Sequence, residues 1–268
     1  MKILVSIKQV PATQEVQIDP VTGTMKRQGM DAKMNPYDLV ALEAAFNLRA
    51  KVGGTISVIS MGPTQADAVL REALAMGADE AYLLTDRAFG GSDVLATAKA
   101  LALALKTVAG DADLYIFGHQ TTDGDTAQVG PAVATIMNIP QVSLVRSIED
   151  HGTYFTVEQK LGRLIQHATV RKPCLLTIDP HGITPRLPSY WRLRSLKPEV
   201  VKTVTLADLD LAIKPEVGIL GSPTRVLRIF PPKRTTQSIV LDGQQHDIGT
   251  TLVNDLLENH VFERAIHD

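Results

Sequence analysis

The amino-acid sequence predicts an α/β fold: a largely parallel sheet wrapped by helices, with antiparallel additions and a C-terminal arm. Three observations carry that expectation. Strand-like and helix-like segments alternate up to about residue 140, with Gly-containing turns after the strands. The strand-like segments are continuous apolar runs, as expected of strands covered on both faces. The segment Gly118 to Gly130 is a polar turn between an apolar strand pattern and an Ala-rich helix pattern.

The elements follow in order. Residues 3–7 form the first buried strand. Residues 16–26 alternate around Asp19-Pro20 and Thr22-Gly23 and read as a hairpin. Asn35-Pro36 opens a helix, with Asn35 as N-cap and Pro36 at the first helical position. Leu39, Leu42, Ala44, Ala45 and Phe46 give that helix its apolar face. Residues 55–61 are the next strand, stopped by Gly62-Pro63, and a helix covers 65–76. A short strand at 81–84 precedes an Ala/Leu-rich helix at 93–108. Residues 113–117 are a strand and 126–137 a helix.

Beyond about residue 140, segments 142–145, 154–157, 164–170 and 174–178 read as shorter strands with hairpin-like links. Residues 180–198, rich in Pro and Arg, read as irregular surface. After Lys197, extended pieces and Pro231-Pro232 lead to a terminal helix at 250–262, preceded by Gly249 and capped by Thr250 or Thr251. The expected division is therefore an α/β domain over 1–196 and an arm over 197–268, too thin for a core of its own.

Composition narrows the function classes. A net charge of −2 and an aromatic content of 4% argue against a nucleic-acid surface. The single cysteine, Cys174, excludes an intrachain disulfide and multi-Cys metal or iron–sulfur sites, and its apolar surroundings point to an inert thiol. No apolar stretch approaches the roughly 20 residues of a membrane span. The first residues enter a strand pattern without a signal-peptide layout, so a cytoplasmic location is expected.

Ligands of parallel α/β sheets bind outside the carboxyl ends of the strands. Three such ends carry candidate contacts: Ser6-Ile7-Lys8, Ser60-Met61-Gly62 and Gly118-His119-Gln120. The last opens the run Gly118-His119-Gln120-Thr121-Thr122-Asp123-Gly124-Asp125-Thr126-Ala127-Gln128-Val129-Gly130. A strand-to-helix junction gathers unpaired backbone N–H groups at the positive end of a helix, where a phosphate is stabilised. Thr126 and Gln128 offer hydrogen bonds to a nucleotide, and Gly118, Gly124 and Gly130 let a backbone approach closely. The run is neither GxGxxG nor a Walker loop. A polar loop with an ordinary N-cap is the competing reading.

Five motifs together resemble the β (small) subunit of electron-transferring flavoproteins, over essentially the whole chain. They are Met34-Asn35-Pro36-Tyr37-Asp38 with Ala41-Leu42-Glu43-Ala44-Ala45; Ser60-Met61-Gly62-Pro63 with the segment from Arg71 to Ala81; the loop from Gly118 to Pro131; Thr184-Pro185-Arg186-Leu187-Pro188-Ser189; and Gly221-Ser222-Pro223-Thr224-Arg225-Val226. The resemblance implies an adenine nucleotide α-hydrolase-like domain. It also implies adenine-nucleotide contacts at Ser6, at Asn35, Pro36, Tyr37 and Asp38, at Met61, and along the loop from Gly118 to Val129.

The family has two functional kinds. In the respiratory kind the β subunit holds AMP as a structural nucleotide. The electron-bifurcating kind, which the run Asp123 to Pro131 resembles, holds a second FAD that accepts a hydride from NADH. One electron then goes to ferredoxin or flavodoxin, the other through the α-subunit FAD to a flavin-dependent dehydrogenase. The resemblance further implies that residues 184–194, with Arg186, Leu187, Tyr190, Trp191, Arg192 and Leu193, meet that dehydrogenase and that the arm embraces the α subunit. Tyr190 to Arg194 departs from the family's small, lysine-rich sequence, and Gln166 stands where an acid is usual.

Single residues keep bland alternatives. Asp123 and Asp125 would repel a diphosphate unless they meet ribose hydroxyls or cap the helix. Met61 is either core or a wall for adenine or isoalloxazine. Lys8 is a solvated cation or a phosphate counter-charge. His119 reads as a hydrogen-bonding loop residue rather than a catalytic base. Trp191 is a core plug or a partner anchor. The seven His residues show no metal spacing, and no catalytic side chain is expected, because hydride transfer is the flavin's own chemistry.

Overall fold

A computed structural model describes residues 1–12, 32–209, 217–227, 240–243 and 245–260. The hairpin expected at 16–26 and the Pro231-Pro232 segment lie outside these residues. The chain divides into two compact units, Met1–Arg228 and Ile229–Asp268.

The first unit runs β1 (Lys2–Ser6), β2 (Gln9–Pro11), β3 (Ala32–Met34), α1 (Pro36–Val52), β4 (Thr55–Met61), α2 (Asp67–Met76), β5 (Glu80–Leu84), α3 (Val94–Ala109), β6 (Leu114–Gly118) and α4 (Val129–Met137). Then come β7 (Gln141–Asp150), β8 (Tyr154–Leu161), β9 (Leu164–Arg171), β10 (Cys174–Ile178), α5 (Tyr190–Ser195) and β11 (Val201–Val204). Nine strands form one sheet in the order β11-β5-β4-β1-β6-β10-β7-β8-β9. Every pair from β11 to β7 is parallel, and β7-β8-β9 is antiparallel. The expected class, a parallel sheet with antiparallel additions, is the observed one. The chain leaves β1 first for β4 on one side and returns to β6 on the other, so the strand order reverses between β1 and β6.

The apolar runs explain the layering. Ile3 and Val5 of β1 pack with Leu42 and Phe46 of α1 and Leu70 of α2 on one face. Leu4 and Tyr115 pack with Leu101 and Leu105 of α3 and Val133 of α4 on the other. Strands covered twice need no polar alternation, which is why β1 and β6 read as unbroken apolar runs. Each fully buried side chain such as Leu4 or Ile59 contributes about 1.5–3 kcal/mol of transfer free energy.

Several boundaries differ from the sequence expectation. α4 starts at Val129, three residues later than expected, because Asp125 (φ 53°) and Ala127 (φ 54°) leave the helical path for left-handed backbone. β7 and β8 extend well past the expected 145 and 157. Their added residues pair within the antiparallel ladder β7-β8-β9, where Glu158, Gln159 and Lys160 of β8 remove the apolar signal without breaking the ladder. Residues 190–195, expected to be irregular, form the single-turn α5, capped by Ser189, which accepts from the Arg192 N–H.

The expected boundary at 196/197 falls within the first compact unit. β11 pairs in parallel with β5, and the first compact unit continues to Arg228. Asp93 fastens the later part: its carboxylate accepts from the Thr224 N–H at 3.0 Å and hydroxyl at 2.7 Å, while its own N–H donates to Ser222 at 2.8 Å. In the second unit, α6 spans Gln245–Glu258, so Gly249 lies inside the helix and not before it. Thr251 is therefore no cap; its hydroxyl donates to the Asp247 carbonyl one turn earlier. Residues 261–262 of that expectation lie outside the described ones.

Candidate functional site

The carboxyl ends of β1, β4, β6 and β10 surround the point where the strand order reverses, the place where open α/β sheets bind ligands. Ser6 ends β1, opposite Ile59 and Phe117, and is buried. Met61 ends β4 half-buried, with part of its side chain packed on the core under α3 and α4. The segment from Gly118 to Gln128 leaves β6 and leads into α4.

The start of α1 is laced to this loop. Asn35 does not cap its own helix with its side chain. Its amide nitrogen donates to the Gln120 carbonyl at 2.8 Å, and its amide oxygen accepts from the Thr122 N–H at 3.4 Å. Gln120 in turn donates to the Tyr37 hydroxyl at 3.1 Å and to Asp125 at 2.5 Å. Pro36 is exposed and opens the helix as expected.

Asp38 sits at the knot. Its buried carboxyl accepts from the Lys8 N–H at 2.7 Å. Burial pushes it up to about 7, against hydrogen bonds from Asn35, Lys8 and Gly118 that favour the charged form. The glycines here serve packing first. A Cβ on Gly118 would stand 2.2 Å from Asp38 Oδ1 and 2.9 Å from the Tyr37 carbonyl carbon. A Cβ on Gly130 would stand 2.9 Å from Thr177 Cγ2, so α4 could not lie against β10. Only Gly124 is open enough to admit a close backbone approach from outside, its nearest neighbour being Thr121 Oγ1 at 3.3 Å.

The loop's middle is a tight turn. The Asp125 N–H donates to the Thr121 carbonyl at 2.9 Å, and the Gly124 N–H to the Thr121 hydroxyl at 3.3 Å. Asp123 receives the Lys8 ammonium on both carboxylate oxygens, at 2.8 and 2.7 Å. Desolvation raises the Asp123 carboxyl, but the Lys8 contacts together with the hydrogen bonds from Thr121 and its own backbone outweigh it and hold the carboxyl below its usual range. Lys8 is thus neither free nor solvated alone, and Asp123 neither caps α4 nor stands unpaired.

Past the turn the backbone opens. Among the described residues, no hydrogen bond takes up the N–H groups of Thr126, Ala127, Gln128 or Val129, and Thr126 and Gln128 are exposed. These groups precede the positive end of α4, and the left-handed residues beside them shape the concave backbone that suits an anion. His119 has Tyr37 as an edge-on ring neighbour at 6.3 Å and no acid partner among the described residues.

A fourth strand end, missed in the sequence, closes the site. A cavity of 270 Å³ lies beside the loop, lined by Tyr37, His119, Gln120, Leu144, Lys160, Gly162, Asp179, Pro180 and His181. The Asp179 carboxylate is buried, bound by Arg146 at 2.6 Å and by the His181 ring at 2.7 Å. Desolvation opposes its ionisation, yet these hydrogen bonds hold it down at about 2. The signal was present: 174–178 reads as a strand, and Asp179-Pro180-His181 is its carboxyl end.

The expected partner segment lies elsewhere, across α1 and α2. Leu187 is 88% exposed and Trp191 77%, which excludes a core plug. Tyr190, Arg192 and Leu193 are exposed beside them. Arg186 differs from its neighbours. It holds Glu43 through Nε and Nη2, each at 2.8 Å, and its guanidinium lies 4.4 Å over the Phe46 ring. It is thus the strap that fixes the segment to α1. Cys174 is buried and its thiol is pushed up to about 12, the inert state the sequence implies. No described helix is long and apolar enough to cross a membrane, and the described residues contain no His, Cys, Asp and Glu cluster fit for a metal.

Fold and loop together define a parallel α/β domain with an anion-ready backbone at its topological switch point. Residues 22–209 match the model of the electron transfer flavoprotein domain. The chain is 47% identical to the electron transfer flavoprotein subunit beta of Thermoanaerobacterium thermosaccharolyticum, covering 98% of this chain and 100% of that protein. It is 42% identical to the Clostridium acetobutylicum subunit of the same name, over 97% and 99% of the two chains. It is 41% identical to the caffeyl-CoA reductase-Etf complex subunit CarD of Acetobacterium woodii, over 98% and 100%. The chain belongs to the electron transfer flavoprotein family, as a β subunit.

Proposed function

We propose that this chain is the β subunit of an electron-bifurcating electron transfer flavoprotein and binds FAD with its loop from Gly118 to Val129. The unpaired backbone N–H run from Thr126 to Val129, at the switch point of the sheet, carries the reading. It suits a phosphate of the FAD's ADP half, with Ser6, Met61 and the Asn35–Asp38 helix start forming the rest of the nucleotide seat. The flavin, when bound, supplies the chemistry: hydride acceptance from NADH and division of the electrons between ferredoxin or flavodoxin and, through the α-subunit FAD, a partner dehydrogenase. This chain's residues hold it, orient it and limit water. The name of the Acetobacterium woodii relative, a subunit of a reductase-Etf complex, supports a dehydrogenase-type partner. The exposed surface of Leu187, Tyr190, Trp191, Arg192 and Leu193 is the docking face we assign to it. The expected setting is a soluble cytoplasmic complex with an α subunit.

A second reading keeps the same seat for a structural AMP, since one phosphate satisfies the N–H run as well as two do. One experiment separates them: purify the chain with its α subunit and count bound cofactors. Two FAD per heterodimer, bleached by NADH, support the proposal. One FAD and one AMP, with no bleaching, refute it.

A further inference from the structure

We infer that the Lys8–Asp123 ion pair is a charge latch on the phosphate loop, one that lowers and tunes the site's affinity for anionic nucleotides. The inference rests on the proposed nucleotide seat and names its regulation. Lys8 follows β1 and Asp123 follows β6, so the pair bridges the two strands between which the sheet order reverses. It lies across the turn that leads directly into the unpaired N–H groups of Thr126 to Val129. The same turn is held by Asn35 through Gln120 and Thr122, and by Gln120 through Asp125. Lys8 is the cation bonded within this turn, and the acid already neutralises it through both oxygens.

An arriving phosphate therefore meets a cation whose charge is occupied, and a carboxylate that repels it. To use Lys8 it must displace Asp123 or share the ammonium with it. Either way Asp123 opposes anion binding while ordering the loop. A uncharged ligand, adenosine, does not compete for Lys8. The latch thus separates nucleotides by charge rather than by base.

The test measures adenosine and ADP binding by calorimetry, using the full-length chain freed of nucleotide. Wild type, Asp123→Asn, Lys8→Met and the double variant are compared. Asp123→Asn should bind ADP about two- to fivefold more tightly, the size of a half-exposed ion pair, and adenosine unchanged. Lys8→Met should lose about tenfold for ADP alone. The double variant should regain part of that loss, because the repelling acid is gone. ADP affinity unchanged or weakened in Asp123→Asn, with adenosine binding intact, overturns the latch and makes Asp123 a structural or ribose-binding residue. A wild-type chain that binds neither ligand overturns the nucleotide seat itself.

Discussion

Replacing Gly118 by alanine tests whether the seat depends on the contact between β6 and the start of α1. The added methyl carbon would lie 2.2 Å from Asp38 Oδ1, 2.9 Å from the Tyr37 carbonyl carbon and 3.0 Å from the Asp38 nitrogen. Two of these are backbone atoms of the first turn of α1, so no rotamer change relieves them. The helix start must move off the strand. Overpacking of this kind costs about 1–3 kcal/mol. The shift also strains the bond from the Lys8 N–H to Asp38, and hydrogen bonds to a charged group contribute about 1.5–3 kcal/mol. A net loss of about 3 kcal/mol corresponds to about 6–12 °C in melting temperature for a chain of this size. Gly124→Ala is the control for stability alone, since its methyl meets only the Thr121 hydroxyl, at 3.3 Å, while nucleotide loading is compared with wild type. Scanning calorimetry of the two variants, with bound nucleotide quantified after purification, gives the answer. Gly118→Ala should melt below wild type and Gly124→Ala and carry less nucleotide than wild type; melting equal to that of Gly124→Ala, with loading equal to wild type, would refute the packing argument.

Four further outcomes are expected. Asp38 is raised from its ordinary 3.8 to about 7, so the folded state is the better proton binder, and stability should fall as pH rises from about 4 through about 7. Asp38→Asn should flatten that slope in denaturant titrations at several pH values, and an unchanged slope would count against the buried carboxyl as its source. Asp179, held at about 2, stabilises the fold above about 4 and loses that contribution as pH falls toward 2; Asp179→Asn should remove this part of the acid limb in acid-unfolding curves while leaving the slope near neutrality alone. Glu43→Gln should cost about 1–3 kcal/mol and raise hydrogen exchange at 184–189, whereas Trp191→Ala should leave stability within about 0.5 kcal/mol and weaken partner binding. Equal exchange at 184–189 in Glu43→Gln and wild type would show that Arg186 is not the strap.

The sequence was legible where burial was simple. The runs at 3–7, 55–61 and 113–117 are strands covered twice, so a continuous apolar pattern reported them directly. Strands β7 and β8 were read short because Glu158, Gln159 and Lys160 and the outer residues of β7 are polar where the antiparallel ladder continues. α5 was missed because its six residues bury none of their side chains and so carry no periodic signal. The glycines of the loop were read as room for a ligand, yet two of them make room for neighbouring chain.

What the sequence determined by itself is the class of sheet, the strand ends that gather at its switch point, and the family, because these follow from local runs and short ordered motifs. What the tertiary structure decided are the pairings between distant segments: Lys8 with Asp123, Asn35 with Gln120, Asp179 with Arg146 and His181, and Arg186 with Glu43. Each joins charged or polar groups whose partner lies on another strand end or helix. Local pattern shows that such a group needs a partner, but only the packed chain selects which, since the partners come within hydrogen-bond reach only when distant segments pack.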